Sequence, residues 1–135
     1  MIRYTTSLDG IDEADLVGFW VGWPHPPSTA LHRRILRGSE VVVLAWDDDA
    51  SGRVVGFITA VGDGVLAASI PLLEVLPEYQ GRGIGTELAR RMLKALEGRY
   101  MVDLTCDPGL MPFYERLGLS PASAMVARRP GSIRD

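Results

Sequence analysis

The stretch from Val65 to Glu97 constrains the fold most, because it joins an apolar strand, a glycine turn and an amphipathic helix in immediate succession. Residues 65–76 are almost continuously apolar, which is typical of a strand covered on both faces. Three alternate positions then carry glycine: Gly81, Gly83 and Gly85. From Ile84 onward, apolar residues recur at helical spacing, which predicts one buried helix face. The stretch therefore predicts a strand–turn–helix unit packed into a sheet.

The glycine turn between this strand and helix predicts an anion-binding site. The first turn of a helix carries free backbone N–H groups and the positive end of the helix dipole. Glycine permits positive φ and lets the backbone approach a phosphate closely. A tight strand-to-helix turn can also use glycine, but three glycines beside Arg82 exceed what such a turn requires. We therefore favour an anion site here.

The composition predicts one domain over residues 1–135 in a reducing cytoplasm. The net charge of −3 argues against a nucleic-acid partner, because binding to a phosphate backbone requires a basic surface. The single cysteine, Cys106, excludes an internal disulfide. The longest apolar run contains Pro71 and Glu74, so no membrane span is expected, and the first residues lack the apolar core of a signal peptide.

The other helices and strands are predicted from local residue patterns and from the capping, glycine and proline residues at their ends. Strands are expected at 2–5, 40–46, 53–61 and 100–106, with short extended pieces at 119 and 124–129. Helices are expected from Asp9 or Asp12 to about 20, from Ser28 or Thr29 to 38, and from 107 to 118. The strands at 65–76 and 100–106 flank one helix, which predicts a parallel pair with the glycine turn at its ligand-binding edge. The order of these elements along the chain indicates an α+β fold in which the strands of the second half are parallel.

Two motifs resemble those of the GNAT (GCN5-related N-acetyltransferase) superfamily. Gln80-Gly81-Arg82-Gly83-Ile84-Gly85 is similar to its Gln/Arg-x-x-Gly-x-Gly/Ala signature, and residues 113–119, which read FYERLGL, are similar to its FYEKLGF segment. The resemblance covers about residues 40–129. It implies an α+β (α/β) three-layer fold, with a mixed central sheet of about six or seven strands and helices on both faces.

The resemblance also implies an activity, in which an acetyl group passes from acetyl-CoA to a primary amine, here of a small molecule, by direct attack in a ternary complex. It implies that the pyrophosphate is held by the turn, at Gln80, Gly81, Arg82, Gly83, Ile84, Gly85 and Thr86. The strand end would bind the pantetheine amides through Leu73, Glu74 and Val75. The family tyrosine corresponds to Tyr114, as general acid to the CoA thiolate, and protonated tyrosine can donate to sulfur.

Asp107 stands where many family members have an asparagine that contacts the cofactor. An aspartate accepts the same hydrogen bonds but cannot donate those of the amide, and it would repel nearby phosphates. A helix cap is therefore the alternative role for Asp107.

The general base is the least determined member of the site. Glu74 is the acid nearest the implied thioester, but the family's usual glutamate position is occupied here by Pro71. The three-residue offset inverts strand parity, so Glu74 faces the acceptor only if a bulge realigns it. Asp103, His25 and His32 are the alternative bases.

The segment from Phe19 to Pro27 holds three aromatic residues and three prolines, and it is either an acceptor-binding wall or part of the core. Asp47 to Asp49 is interpreted as a solvated turn rather than a metal site, because no spaced partner ligands accompany it. Cys106 is expected to be buried at a strand end. The last strands are short, so a second subunit is one source of the missing acceptor wall.

Two other functions compete with the transferase. A non-catalytic acyl-CoA-binding or sensing domain would keep the glycine turn without a working base. A nucleotide-binding regulatory module is disfavoured, because Gly81, Gly83 and Gly85 match neither a P-loop nor the dinucleotide fingerprint.

Overall fold

The computed structural model, which describes residues 1–50 and 52–133, contains one mixed sheet whose strand order follows the chain. Its strands are β1 (Ile2–Thr5), β2 (Val41–Asp47), β3 (Arg53–Gly62), β4 (Ala67–Val75) and β5 (Met101–Asp103). Neighbouring strands from β1 to β4 are antiparallel, and β4 and β5 are parallel. The parallel pair predicted around the helix is therefore confirmed. The described sheet has five strands, fewer than the six or seven expected.

The described residues form three α-helices: α1 (Thr29–Gly38), α2 (Ile84–Ala95) and α3 (Met111–Glu115). A Cβ built on Gly56 would lie 3.0 Å from Leu88 of α2, whereas the Phe57 ring contacts His32 of α1 at 4.5 Å between centroids. Because adjacent strand residues point to opposite faces, α1 and α2 lie on opposite faces of the sheet. The three-layer architecture is confirmed. No helix within the described ranges is long and apolar enough to cross a bilayer.

The core is centred on β2 and β3. Both strands are rich in β-branched residues, and their middle positions are fully buried. From α2, Leu88 and Met92 complete one apolar layer with no exposed surface. Removing this apolar surface from water is the main stabilising term for the fold.

The helix expected up to Trp20 is wrong. Only a 3₁₀ turn, Glu13–Leu16, forms there, with Asp12 as its cap and Asp15 completing a capping box. The chain then takes positive φ at Gly18 (+97°) and at Trp20 (+68°), which a right-handed helix does not permit. By contrast, α1 begins as predicted, because the Ser28 hydroxyl accepts the N–H of Leu31 at 3.1 Å.

The C-terminal part is less regular than expected. The strand predicted at 100–106 shrinks to the three residues of β5, which pair only with Ala67–Ser69 of β4. The extended pieces predicted at 119 and 124–129 are not strands, and residues 121–130 are all exposed. The predicted coverage of β4 on both faces is also only partial, since Pro71 is exposed and residues 72–75 are half-buried. A backbone that buries no apolar surface keeps its hydrogen bonds to water.

Candidate active site

The glycine turn has the geometry of an anion cradle. Gly81 and Gly83 have φ of +79° and +82°, and Gly83 is the N-cap of α2. A Cβ at either position would meet nothing within 4 Å, so the positive φ, rather than crowding, requires glycine. The space above both residues is open. The turn can therefore receive an anion directly on its backbone.

The first turn of α2 supplies free donors to this cradle. Its first helical hydrogen bond runs from the Glu87 N–H to the Gly83 carbonyl, at 3.1 Å. The N–H groups of Ile84, Gly85 and Thr86 precede that bond and have no partner within the helix. The Ile84 side chain is buried in the core, which fixes the start of the helix to the sheet. These donors and the helix dipole favour a bound anion.

Side chains around the turn hold its conformation. The Gln80 amide donates to the Val75 carbonyl at 3.1 Å, and the Arg82 guanidinium lies 4.8 Å from the centre of the Tyr79 ring. The Tyr79 hydroxyl donates to Asp47 Oδ2 at 2.6 Å, which holds the pKa of that carboxyl below its usual value. The turn is thus tied to β4 and to the end of β2. The sequence interpretation missed the Tyr79–Asp47 contact, because no local pattern links residues so far apart.

One edge of β4 is open beside the turn. The Leu76 N–H donates to Val55 of β3 at 2.9 Å, whereas the Val75 carbonyl accepts from Gln80 on the other side. Backbone groups alternate sides along a strand, so Leu73 and Val75 direct theirs to the open edge and Glu74 directs its own toward β3. Since β5 pairs only with Ala67–Ser69, no described strand covers Leu73 and Val75 on that side.

The Glu74 carboxylate is occupied by the backbone of the segment that follows the 3₁₀ turn. It accepts the Trp20 N–H at 3.0 and 2.9 Å, and the Val21 N–H at 3.3 Å. Glu74 pairs with Phe57 across the strands, so its side chain lies on the α1 face of the sheet, opposite α2. The structure thus places the Glu74 side chain on the α1 face, and it gives this carboxylate partners that sequence patterns do not show.

Tyr114 lies on α3, in a different part of the molecule from Glu74. It is half-buried, and burial, followed by the neighbouring Cys106, raises the pKa of its hydroxyl. With Asp103 and Cys106 it lines a cavity of about 920 Å³, bounded also by the exposed segment 120–125. Neither the glycine turn nor Glu74 lines this cavity. Cys106 is half-buried after the end of β5, rather than fully buried at a strand end.

The remaining candidates have separate environments. Asp107 is exposed at the N-cap position of a 3₁₀ turn, but its side chain makes no capping hydrogen bond there. Asp103 accepts the Ser69 hydroxyl at 2.7 Å and so links β5 to β4. His25 is exposed in the proline-rich loop, whereas His32 is fully buried, which lowers its pKa to about 4. A buried neutral histidine is a core residue here.

The aromatic segment divides between the two roles proposed for it. Phe19 and Trp20 are buried, and both contact the rings of His32 and Phe57. Trp23 is 44% exposed. Two residues are therefore core, and the third faces solvent. Within the described ranges, no group of three or more His, Cys, Asp and Glu side chains could hold a metal ion.

Comparison with known proteins identifies the family. The model of the Acetyltransferase (GNAT) family matches residues 8–119. The uncharacterized N-acetyltransferase ycf52-like of Prochlorococcus marinus is 36% identical over 124 residues, covering 86% of this chain and 68% of that protein. Serotonin N-acetyltransferase 2, chloroplastic, of rice is 37% identical over 123 residues, covering 87% of this chain and 60% of that protein. The chain thus spans only part of the length of both relatives.

Solved structures agree with the family match. The crystal structure of a candidate acetyltransferase from Deinococcus radiodurans R1 has a TM-score of 0.92 and 51% identity, covering 96% of this chain and 90% of that one. A GNAT-family acetyltransferase from Streptococcus pneumoniae TIGR4 has a TM-score of 0.76 and 29% identity, covering 96% and 98%. With the cradle at the start of α2, these matches show that the chain belongs to the GNAT family of acetyltransferases and is an acyltransferase of the N-acetyltransferase type.

Proposed function

We propose that this protein transfers the acetyl group of acetyl-CoA to the primary amine of a small molecule, by direct attack in a ternary complex. The observation that carries the proposal is the open cradle of Gly81 and Gly83 at the start of α2, beside the uncovered edge of β4. A pyrophosphate suits the free N–H groups of the cradle. The rice relative, whose name states a small-molecule amine, supports this class of acceptor.

The β4 edge is proposed to hold the rest of the cofactor. Leu73 and Val75 direct backbone donors and acceptors outward, which suits the amides of a pantetheine arm lying parallel to the strand. An N–H on this edge, directed at the thioester carbonyl, would stabilise the negative charge that develops during attack. Fixed donors at such a position are a large catalytic term, because they need no reorganisation when the charge appears.

Tyr114 is proposed as the proton donor to the departing thiolate. Burial raises the pKa of its hydroxyl, with Cys106 as the second cause, so the group stays protonated at neutral pH and can donate to sulfur. The amine, deprotonated by water, forms the new C–N bond as the C–S bond breaks, and the thiolate takes its proton from Tyr114. The proton that nitrogen then loses passes through water and restores the tyrosine hydroxyl. Asp107 is proposed as a further contact of the cofactor from the start of the same segment, since its side chain makes no capping bond.

A second candidate function, a non-catalytic acyl-CoA sensor, is favoured by one observation. The carboxylate proposed as general base, Glu74, already accepts the N–H groups of Trp20 and Val21. A sensor would keep the cradle and bind acetyl-CoA without releasing CoA in the presence of amines. Turnover therefore distinguishes the two functions.

Two measurements test these functions. Calorimetry should detect acetyl-CoA binding and no comparable binding of ATP or NAD; a chain that does not bind acetyl-CoA would rule out both functions. An amine panel assayed by free-thiol release should then find turnover. Absence of turnover across a broad panel would favour the sensor.

The role of Tyr114 has its own test with a matched control. Tyr114→Phe should lower kcat by about 100-fold or more, as expected for a lost general acid, while acetyl-CoA affinity stays within about threefold. Tyr4→Phe removes the same hydroxyl from a half-buried ring on β1 that does not line the Tyr114 cavity, and it should leave kcat unchanged. Equal kcat in Tyr114→Phe and the wild type would remove Tyr114 from the mechanism.

A further inference from the structure

The Glu74 carboxylate accepts hydrogen bonds from the backbone at Trp20, which has a strained conformation. Trp20 has a φ of +68°, a conformation that costs energy for a residue other than glycine. Both Glu74 oxygens lie within 3.0 Å of the Trp20 nitrogen, and the Val21 N–H adds a third contact at 3.3 Å. Hydrogen bonds to an ionised carboxylate are stronger than those to a neutral acceptor. Glu74 therefore stabilises a loop conformation that the sequence of the loop itself disfavours.

The same loop is also fixed just before Trp20. Arg53 of β3 donates from Nη2 to the Val17 carbonyl at 2.7 Å. Gly18 then turns the chain with a φ of +97°, where a Cβ would come within 3.3 Å of Leu76. The loop is thus bound by two side chains, one from β3 and one from β4, and its path is fixed relative to the open edge of the sheet.

The fixed loop presents an apolar surface. Trp20 is buried, but Val21 and Trp23 are 61% and 44% exposed. The Trp23 ring packs edge-to-face on Trp20, with 5.1 Å between centroids. Because the Val21 N–H donates a hydrogen bond to Glu74, this exposed surface adjoins the carboxyl end of β4, where the thioester is proposed to lie.

We infer that Glu74 is a positioning residue for the acceptor: it holds the loop so that Val21 and Trp23 form a wall against the apolar or aromatic group of the amine. This inference rests on the proposed function and names its substrate class as an amine with an apolar substituent. Both carboxylate oxygens already accept N–H groups of the loop, so the side chain is held by backbone donors and is not free to meet the amine. The geometry therefore favours a fixed carboxylate over a proton-accepting one.

The kinetic test compares two amines that differ only in the group meeting the wall. In Glu74→Gln, the KM for phenethylamine should rise about tenfold, the scale set by a small loss of apolar contact, while the KM for ethylamine stays within about twofold. The kcat for both amines should be unchanged. The fall of kcat toward acidic pH should also be unchanged. Trp23→Ala should reproduce the pattern, and Glu97→Gln, which changes an exposed carboxylate two residues beyond the end of α2, should match the wild type.

The same kinetic measurements can also overturn the inference. If Glu74→Gln lowered kcat for both amines by about 100-fold and removed the acid limb of the pH profile, Glu74 would be the general base and the inference would be overturned.

A second measurement needs no turnover. Hydrogen exchange at the amides of residues 17–23 should be faster in Glu74→Gln than in the wild type or Glu97→Gln. Unchanged protection in Glu74→Gln would overturn the inference by itself. A wild-type protein that binds acetyl-CoA but acetylates neither amine would count against the proposed function, whereas the exchange result would still decide whether Glu74 holds the loop.

Discussion

Strands β1 to β4 with α2 form one region, and the chain after Leu96 forms another; the two are packed differently. Residues up to Leu96 include every fully buried position of the described chain, and no described residue after Leu96 is fully buried. The proposed cradle for the cofactor lies in the first region, on the helix that packs against the core. Tyr114 lies in the second, on a helix of five residues. The proposed binding step thus depends on a packed scaffold, and the proposed proton transfer on a segment with little packing of its own.

The largest effect expected from this contrast is on stability. Phe57→Ala removes a ring with no exposed surface and should lower the free energy of unfolding by about 3–5 kcal/mol in urea titrations. The matched change in the second region, Phe113→Ala, truncates a half-buried ring and should cost less than half as much. Equal losses would show that the two regions share one level of packing.

The second effect is a pH dependence confined to the first region. The buried His32 has a pKa of about 4, below its usual 6.5, so between these values the unfolded chain binds more protons than the folded one. Stability should therefore fall as pH drops from about 6.5 to 4, by up to about 3 kcal/mol. His32→Phe should flatten this part of the pH profile measured by urea titration. A profile unchanged by the substitution would assign the loss to other groups.

The third effect compares two glycines. In Gly56→Ala, the new methyl would lie 3.0 Å from Leu88 and 3.3 Å from the Glu74 carbonyl, and this overpacking should cost about 1–3 kcal/mol. In Gly109→Ala, the methyl meets nothing within 4 Å, so the smaller entropy of the unfolded chain should leave stability unchanged or raise it by less than about 1 kcal/mol. Thermal melts of both variants provide the measurement.

The smallest effect concerns the link between the two regions. The Ser69 hydroxyl donates to Asp103 at 2.7 Å and links β4 to β5 in a solvent-exposed hydrogen bond. Ser69→Ala should cost about 0.5–1 kcal/mol and speed hydrogen exchange in residues 101–103 more than in β2. Faster exchange in β2 as well would mean that the two regions open together.

The sequence predicted the packed region better than the exposed one, for a physical reason. Apolar periodicity located α2, β2 and β3 because each buries a regular face, and their boundaries fall within a few residues of those predicted. The ends of β5 depend on a neighbouring strand, since an extended segment becomes a strand only when another pairs with it. Local patterns carry no information on that pairing.

The proposed site shows the same division. Gly81 and Gly83 were predictable, because positive φ at a helix start selects glycine. The left-handed conformation of Trp20 was not, because a large residue there is uncommon and is stabilised by Glu74, 54 positions away. A contact across that separation leaves no trace in either local sequence.

Because each strand pairs with the next strand along the chain, the sheet can assemble in the order of synthesis. Strands β1 to β4 leave the ribosome before the cradle and before Tyr114, and neighbouring pairs close relatively short loops. The proposed active site is thus completed last, on a sheet already formed. Its final segment, exposed and without strands, is also where a protease would cut the folded protein first.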